Sequence, residues 1–168
     1  MQPNINRPDG VPILSVTRLD QSEQSRDMVL SEDFEGGAVP PTDWTLDNGA
    51  AGVGWEISTN PNGGTYSAFC DYYQSDVTTL LLSPAIDLSG ETVATLTFYE
   101  YGVWGSYYHY HDVSVYVGGE LVGFVETEAA TDYAWEQFDV DISDVAAGFE
   151  DVQVGFYYAG YDADAWYI

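Results

Sequence analysis

Short runs of strand-forming residues, each closed by turn residues after about ten positions, dominate the chain from Met28 onward. The runs are rich in Val, Thr, Tyr, Phe and Trp, and Gly, Asn, Asp or Pro separates them. Regular spacing of this kind is typical of antiparallel sandwiches and barrels. The sequence therefore predicts an all-β fold with strands at residues 29–35, 43–47, 53–58, 66–73, 76–82, 92–101, 111–118, 120–127, 134–140 and 151–159.

Alternation within the runs assigns side chains to the two faces of each strand. In TLTFYEYG, Phe98 and Glu100 share one face, while Tyr99 and Tyr101 share the other. Glu100 lies on an otherwise apolar face, and we interpret it as a hydrogen-bonded structural acid. Two glycines at 118–119 predict a hairpin. The predicted core comprises Phe34, Trp44, Trp55, Phe69, Leu81, Leu96, Phe98, Val113, Val115, Val117, Phe138, Val152, Val154 and Phe156.

The two ends of the chain differ from this middle. Residues 1–28 are polar and proline-containing, which predicts a linker or an upstream remnant with at most one short strand at PILSV. Residues 29–168 form the predicted domain, and we expect it to be truncated because DADAWYI ends in mid-pattern. The predicted helix is one turn in DISDVAAGFED, capped by Ser143.

The charge balance narrows the classes of partner. The chain has 28 acids and 3 bases, a formal net charge of -25, and its bases are Arg7, Arg18 and Arg26. Such a surface repels nucleic acids and anionic membranes, so neither is expected as a partner. No apolar run approaches the length of a membrane span. The acidity also suits a soluble exported protein or a saline medium.

Catalytic signatures are sparse. No nucleophile-elbow, zinc-protease or phosphate-loop motif occurs. Cys70 is the lone cysteine, and its strand-like surroundings predict a buried structural thiol. With 28 acids, a pair at the spacing of glycosidase carboxylates is expected by chance. We therefore predict no enzymatic activity, and a jelly-roll glycoside hydrolase is the less favoured alternative.

Landmarks along residues 29–168 resemble a known family. The FEGG…PP..W opening and LLLSPAIDLSG are the most specific of them. The chain resembles the choice-of-anchor J or cleaved-adhesin domains of bacterial surface and secreted proteins, which are similar in fold to MAM domains. The resemblance implies a jelly-roll sandwich without catalytic activity, found beside other domains of an extracellular polypeptide. It also implies a structural Ca²⁺ at which the first-strand acid corresponds to Glu35, whereas the family's later acids would follow Ile168.

Carboxylates that share strand faces are the candidate ligands for this ion, because Ca²⁺ takes six to eight oxygen ligands. On a strand, residues two apart point to the same side. Solvated surface acids are the ordinary alternative. The predicted metal site comprises Asp33, Glu35, Asp71, Asp162 and Asp164.

Aromatic residues concentrate in YGVWGSYYHYHD, where exposed rings would stack on sugars. The ordinary alternative is that half of them enter the core and half cover a sheet face. A transition-metal site at the two histidines has no clear third ligand. The predicted ligand-binding residues are Trp104, Tyr107, Tyr108, His109, Tyr110 and His111.

These observations predict a non-catalytic accessory or adhesion module of a larger secreted or surface protein. It is expected to bind Ca²⁺ for stability and a glycan or a protein partner. A structural spacer without any ligand is the main alternative, because fold alone does not determine function.

Overall fold

A computed structural model describes residues 9–16, 27–71, 76–102, 108–126, 134–161 and 165–168, and it shows two stacked five-stranded sheets. The predicted all-β, antiparallel jelly-roll sandwich is confirmed. The strands are β1 (Thr45–Asp47), β2 (Trp55–Ser58), β3 (Ser67–Cys70), β4 (Val77–Leu82), β5 (Thr95–Gly102), β6 (Tyr108–Val117), β7 (Glu120–Glu126), β8 (Glu136–Asp141), β9 (Val152–Gly160) and β10 (Trp166–Tyr167).

The chain crosses repeatedly between the two layers. Sheet 1 has the order β1-β4-β9-β6-β7, and sheet 2 has the order β2-β3-β10-β5-β8. Every ladder between these strands is antiparallel. The glycine hairpin is confirmed, since Val117 pairs with Glu120 and both intervening glycines have positive φ. Each predicted run from residue 43 to residue 159 overlaps one of β1–β9, whereas β10 was not predicted.

Aromatic side chains from both sheets fill the space between the layers. The ring of Trp166 in sheet 2 lies 4.9 Å from Trp55 and 6.2 Å from Phe156 of sheet 1, between centroids. The Trp55 indole donates a 3.1 Å hydrogen bond to the carbonyl of Phe156, which ties the two sheets together. The predicted core residues that are buried are Phe34, Trp55, Leu81, Phe98, Val113, Val115, Val152, Val154 and Phe156.

The remaining predicted core residues are half-buried. Four of them, Trp44, Leu96, Val117 and Phe138, still pack against the core. The core assignment of Phe69 is wrong: it alternates with the buried Ala68 and Cys70, so it lies on the outer face of sheet 2. Cys70 itself is buried, as predicted.

The predicted strand at residues 29–35 is wrong. Phe34 has a φ of 60°, and its carbonyl accepts a 2.9 Å bond from Gly37, so the chain turns here. The Asp33 carboxylate accepts the N–H of Glu35, a local bond that competes with strand pairing. Phe34 nevertheless remains buried, with its ring 6.5 Å from that of Trp44.

A segment of the N-terminal arm joins the edges of both sheets. Leu14 donates its N–H to the carbonyl of Phe124 in β7 at 2.8 Å, and Val16 forms a bridge with Val140 in β8. The Leu14 side chain lies over Gly123, where an added Cβ would come within 2.9 Å of it. The segment therefore pairs with the outer backbone of each edge strand at one position, Phe124 in β7 and Val140 in β8.

The helix α1 spans Ser143–Ala146, at the predicted place. The predicted Ser143 cap is wrong: the Asp141 carboxylate accepts the Ser143 N–H at 2.9 Å, and the Ser143 hydroxyl accepts the Ala94 N–H. Asp141 serves the same end as a capping side chain, since it satisfies a free helical N–H. In the described part of the chain, no helix has the length and apolarity needed to cross a membrane.

Candidate functional site

A line of aromatic side chains crosses the outer face of sheet 2. Tyr167 in β10 pairs with Phe69 in β3 on one side and with Tyr101 in β5 on the other. Trp135 continues the line. The residue after it, Glu136 in β8, pairs with the residue before Tyr101 in β5, so Trp135 lies opposite Tyr101 in this antiparallel pair. We call Phe69, Tyr101, Trp135 and Tyr167 the aromatic row.

Strand alternation places this row outside the sandwich. The neighbours Cys70, Glu100 and Trp166 point inward and are buried, so the adjoining row residues point outward. All four row residues are half-buried. They therefore lie against the sheet while keeping part of each ring in contact with solvent.

The rings of the row contact one another. Phe69 and Tyr167 are stacked with centroids 5.3 Å apart and an angle of 18° between their planes. Tyr101 meets Tyr167 edge-on at 5.4 Å and 88°, and it lies 5.8 Å from Trp135. Contacts of this type contribute about 0.5–1.5 kcal/mol each beyond area burial. The rings thus restrict one another's rotamers before any ligand arrives.

Polar side chains surround the row. Glu56 pairs with Phe69 across β2 and β3, and Asp71 follows β3; both are exposed. Tyr99, with 43% of its surface exposed, donates its hydroxyl hydrogen to Gln137 at 2.8 Å. Gln137 in turn donates to Asp139 at 3.2 Å. Hydrogen-bond acceptors therefore lie at both ends of the row.

The electrostatics of this face are negative. Burial raises the pKa of the Tyr167 phenol, and the nearby charge of Asp71 adds to the effect. Burial likewise raises the pKa of the Cys70 thiol, with smaller contributions from Asp71 and Glu56. Residues 27–168 contain no Lys or Arg. Tyr167 therefore stays a neutral hydroxyl at physiological pH, beside carboxylates.

The strand that carries Tyr167 is held in place by a buried contact on the inner face of sheet 2. The preceding residue, Trp166, is buried and donates its indole N–H to Glu100 at 3.0 Å. Glu100 is 2% exposed, so the interpretation of Glu100 as a hydrogen-bonded structural acid is confirmed. A strand of two residues thus gains its position from a buried tryptophan.

The predicted ligand-binding stretch lies on a different element. Trp104 and Tyr107 fall outside the described residues, and only the backbone of residues 108–110 is described. That backbone belongs to β6 of sheet 1, with a register shift between Tyr108 and Tyr110. The His111 ring is half-buried and packs edge-on against Trp166 at 5.5 Å. The structure therefore brings His111 to the core and not to the aromatic row.

The predicted metal ligands are only partly described. Glu35 lies in the turn described above, and its Oε1 accepts N–H bonds from Thr65 at 2.7 Å and Tyr66 at 2.9 Å. These bonds lower the pKa of Glu35. Gly64 allows this approach, because a Cβ there would lie 2.5 Å from Glu35 Oε1.

The fit of calcium to these residues is therefore incomplete. One oxygen of Glu35 and one of Asp33 already accept backbone bonds. Asp71 lies beside the aromatic row, whereas Asp162 and Asp164 fall outside the described residues. Among the residues that are described, no three His, Cys, Asp or Glu side chains form a metal-binding group. The calcium site stays a prediction.

Comparison with known proteins identifies the fold. No family model matches the chain, and no curated protein matches it. The structure is similar to that of TmCBM61 in complex with β-1,4-galactotriose, with a TM-score of 0.63 and 15% identity over 84% of this chain and 94% of that one.

Two adhesin domains are similar as well. The K1 cleaved adhesin domain of Lys-gingipain from Porphyromonas gingivalis W83 has a TM-score of 0.61 and 21% identity, covering 82% of this chain and 92% of that chain. The K3 domain of the same protein has a TM-score of 0.57 and 18% identity, covering 83% and 94%. At these identities the likeness shows a cleaved-adhesin-like fold, while membership of that family stays a prediction.

Proposed function

We propose that this chain is a non-catalytic binding module of a larger exported protein and that the aromatic row holds a glycan. One observation carries the proposal: four rings from four segments of the chain form a continuous, partly exposed row on the outer face of sheet 2. Such a row provides a large contact area for sugar rings. It does so at low entropy cost, because the rings already fix one another.

The surrounding polar groups suit a sugar ligand. Sugar hydroxyls donate hydrogen bonds, and the carboxylates of Glu56 and Asp71 are acceptors at one end of the row. Gln137 and Asp139 provide an amide and a carboxylate at the other end. Aromatic contacts with a few placed polar groups are the usual composition of small-molecule sites.

The comparisons support a binding role without assigning one. One similar fold was solved with a bound galactotriose, and two others are adhesin domains. On this account the module lies outside the cell, beside other domains of its polypeptide. No part of the proposal requires calcium.

Retention on insoluble polysaccharides tests the proposal. The panel is β-1,4-galactan, cellulose, mannan and chitin, with the purified chain in solution. We expect at least one polymer to retain the protein, and we expect Trp135→Ala to reduce retention by about tenfold or more, as loss of one ring contact implies.

A matched control separates the row from exposed aromatics in general. Phe149 is 48% exposed and lies outside the row, so Phe149→Ala should retain wild-type binding. Melting curves of both variants check that they fold. Absence of retention on every polymer would favour the structural spacer. An equal loss of retention in both variants would show that the aromatic row does not hold the glycan.

A further inference from the structure

We infer, on the basis of the proposed function, that the aromatic row takes an internal segment of a linear, uncharged polysaccharide lying across the strands of sheet 2. The row therefore does not recognise a single terminal sugar. It also discriminates against acidic polysaccharides.

The length of the row supports a ligand of several units. Phe69 lies on the second strand of sheet 2, and Trp135 immediately precedes its edge strand β8. Three strand spacings separate these positions, which is about 14 Å. Successive ring centroids along the row are 5.3, 5.4 and 5.8 Å apart. One sugar covers only part of such a row, so each added unit meets further ring surface.

The direction of the row supports an extended ligand as well. The rings follow the direction of the backbone hydrogen bonds, and the paired positions Phe69, Tyr167 and Tyr101 share one register. The row thus crosses the strands, and it reaches an edge of the sheet at β8. A linear polymer that lies along it can continue beyond that edge.

Charge supports an uncharged polymer. Glu56 and Asp71 lie beside the β3 end of the row, and Asp139 lies near Tyr99 on the β8 side. No Lys or Arg occurs from residue 27 to residue 168. Carboxylates on a polymer would therefore meet like charges from these residues, whereas hydroxyls would meet acceptors.

A length series tests the first part of the inference. Oligosaccharides of one to six units, prepared from the panel polymer that retains the protein, are titrated and the heat of binding is measured by calorimetry. We expect affinity to rise by about a hundredfold or more between one unit and six, as two further ring contacts would give. Trp135→Ala should flatten this rise, and Phe149→Ala should not.

A matched polymer pair tests the second part. The retaining polymer is compared with the same polymer after oxidation of its C6 hydroxymethyl groups to carboxylates. We expect the oxidised form to bind at least about tenfold more weakly when the Debye length is about 30 Å, and the difference to narrow when it is about 3 Å. Glu56→Gln should also reduce the difference in affinity between the neutral and the oxidised polymer, whereas Glu120→Gln on β7 of sheet 1 should not.

The outcomes separate this inference from the proposed function. Retention with equal affinity for one unit and six would overturn the extended-segment inference while leaving glycan binding intact. Equal binding of the oxidised and neutral polymers at low salt would overturn the selectivity. If no polymer of the panel retains the protein, the proposed function fails and this inference fails with it.

Discussion

The indole Nε1 of Trp166 donates a 3.0 Å hydrogen bond to Oε2 of Glu100 inside the sandwich. Both residues belong to sheet 2, in the adjacent strands β10 and β5. The residue after Trp166 is Tyr167, which lies at the centre of the aromatic row. A buried polar contact thus positions the strand that completes the outer face.

Replacement of Trp166 by phenylalanine tests the strength of this anchor. Trp166→Phe removes the donor from a buried carboxyl group and reduces the packed volume, so the free energy of unfolding should fall by at least about 2 kcal/mol. Tyr99→Phe removes an exposed hydrogen bond of similar length and should lower the free energy of unfolding by no more than about 0.5 kcal/mol. Urea denaturation measures both, and equal losses would show that the buried bond contributes nothing special.

The turn that holds Glu35 should respond to acid. Two backbone N–H bonds lower the pKa of Glu35 from its ordinary 4.5. Its ionised form therefore stabilises the fold above pH 4.5, and this contribution is lost as pH falls through the lower folded value. At neutral pH the Glu35→Gln variant should have a lower melting temperature than the parent protein. The two melting temperatures should converge on acidification.

Glu120→Gln is the charge-matched control for that titration. It removes one exposed negative charge from the β6–β7 hairpin. A pH dependence of the same size in both variants would show that net charge, and not the turn, produces the effect.

The contact of the N-terminal arm with β7 should contribute to stability. Leu14 packs over Gly123 and is half-buried, so Leu14→Ala should lower the free energy of unfolding by about 1–3 kcal/mol. Its neighbour Ile13 is 62% exposed, and Ile13→Ala should change the free energy of unfolding by less than about 0.5 kcal/mol. A chain that begins at residue 29 with unchanged stability would contradict this contribution and favour a plain linker.

Calcium is tested by chelation. If the predicted site exists, EDTA should lower the melting temperature and excess Ca²⁺ should restore it, because an ion that binds the folded state stabilises it. Asp33→Asn should weaken the response. An unchanged melting curve after thorough chelation would end the prediction.

Strand positions were accessible from the sequence because most strands carry their own pattern. In β5, alternation put Phe98 and Glu100 on one face and Tyr99 on the other; in the structure Phe98 and Glu100 are buried and Tyr99 is exposed. The segment at residues 29–35 was also predicted as a strand, yet the chain turns at Phe34 and Gly37 instead. β10 has only two residues, and its pairing depends on tertiary packing that no local pattern encodes.

The aromatic row was missed for a related reason. Local density of aromatics directed attention to residues 104–111, whereas the row is assembled from residues separated by about thirty positions each. Only register between distant strands brings Phe69, Tyr101 and Tyr167 together. The available signal was the alternation that put Tyr101 on the strand face opposite Phe98. That signal alone does not define a site, because a site also needs an aromatic neighbour on each adjacent strand.

Chemical-shift mapping of the aromatic ring resonances tests whether the aromatic row holds the glycan. The polysaccharide that retains the protein, reduced to soluble oligomers, is added to the isotopically labelled chain. We expect the largest changes to fall on Phe69, Tyr101, Trp135 and Tyr167. Changes confined to residues 104–111, or to the outer face of sheet 1, would contradict it.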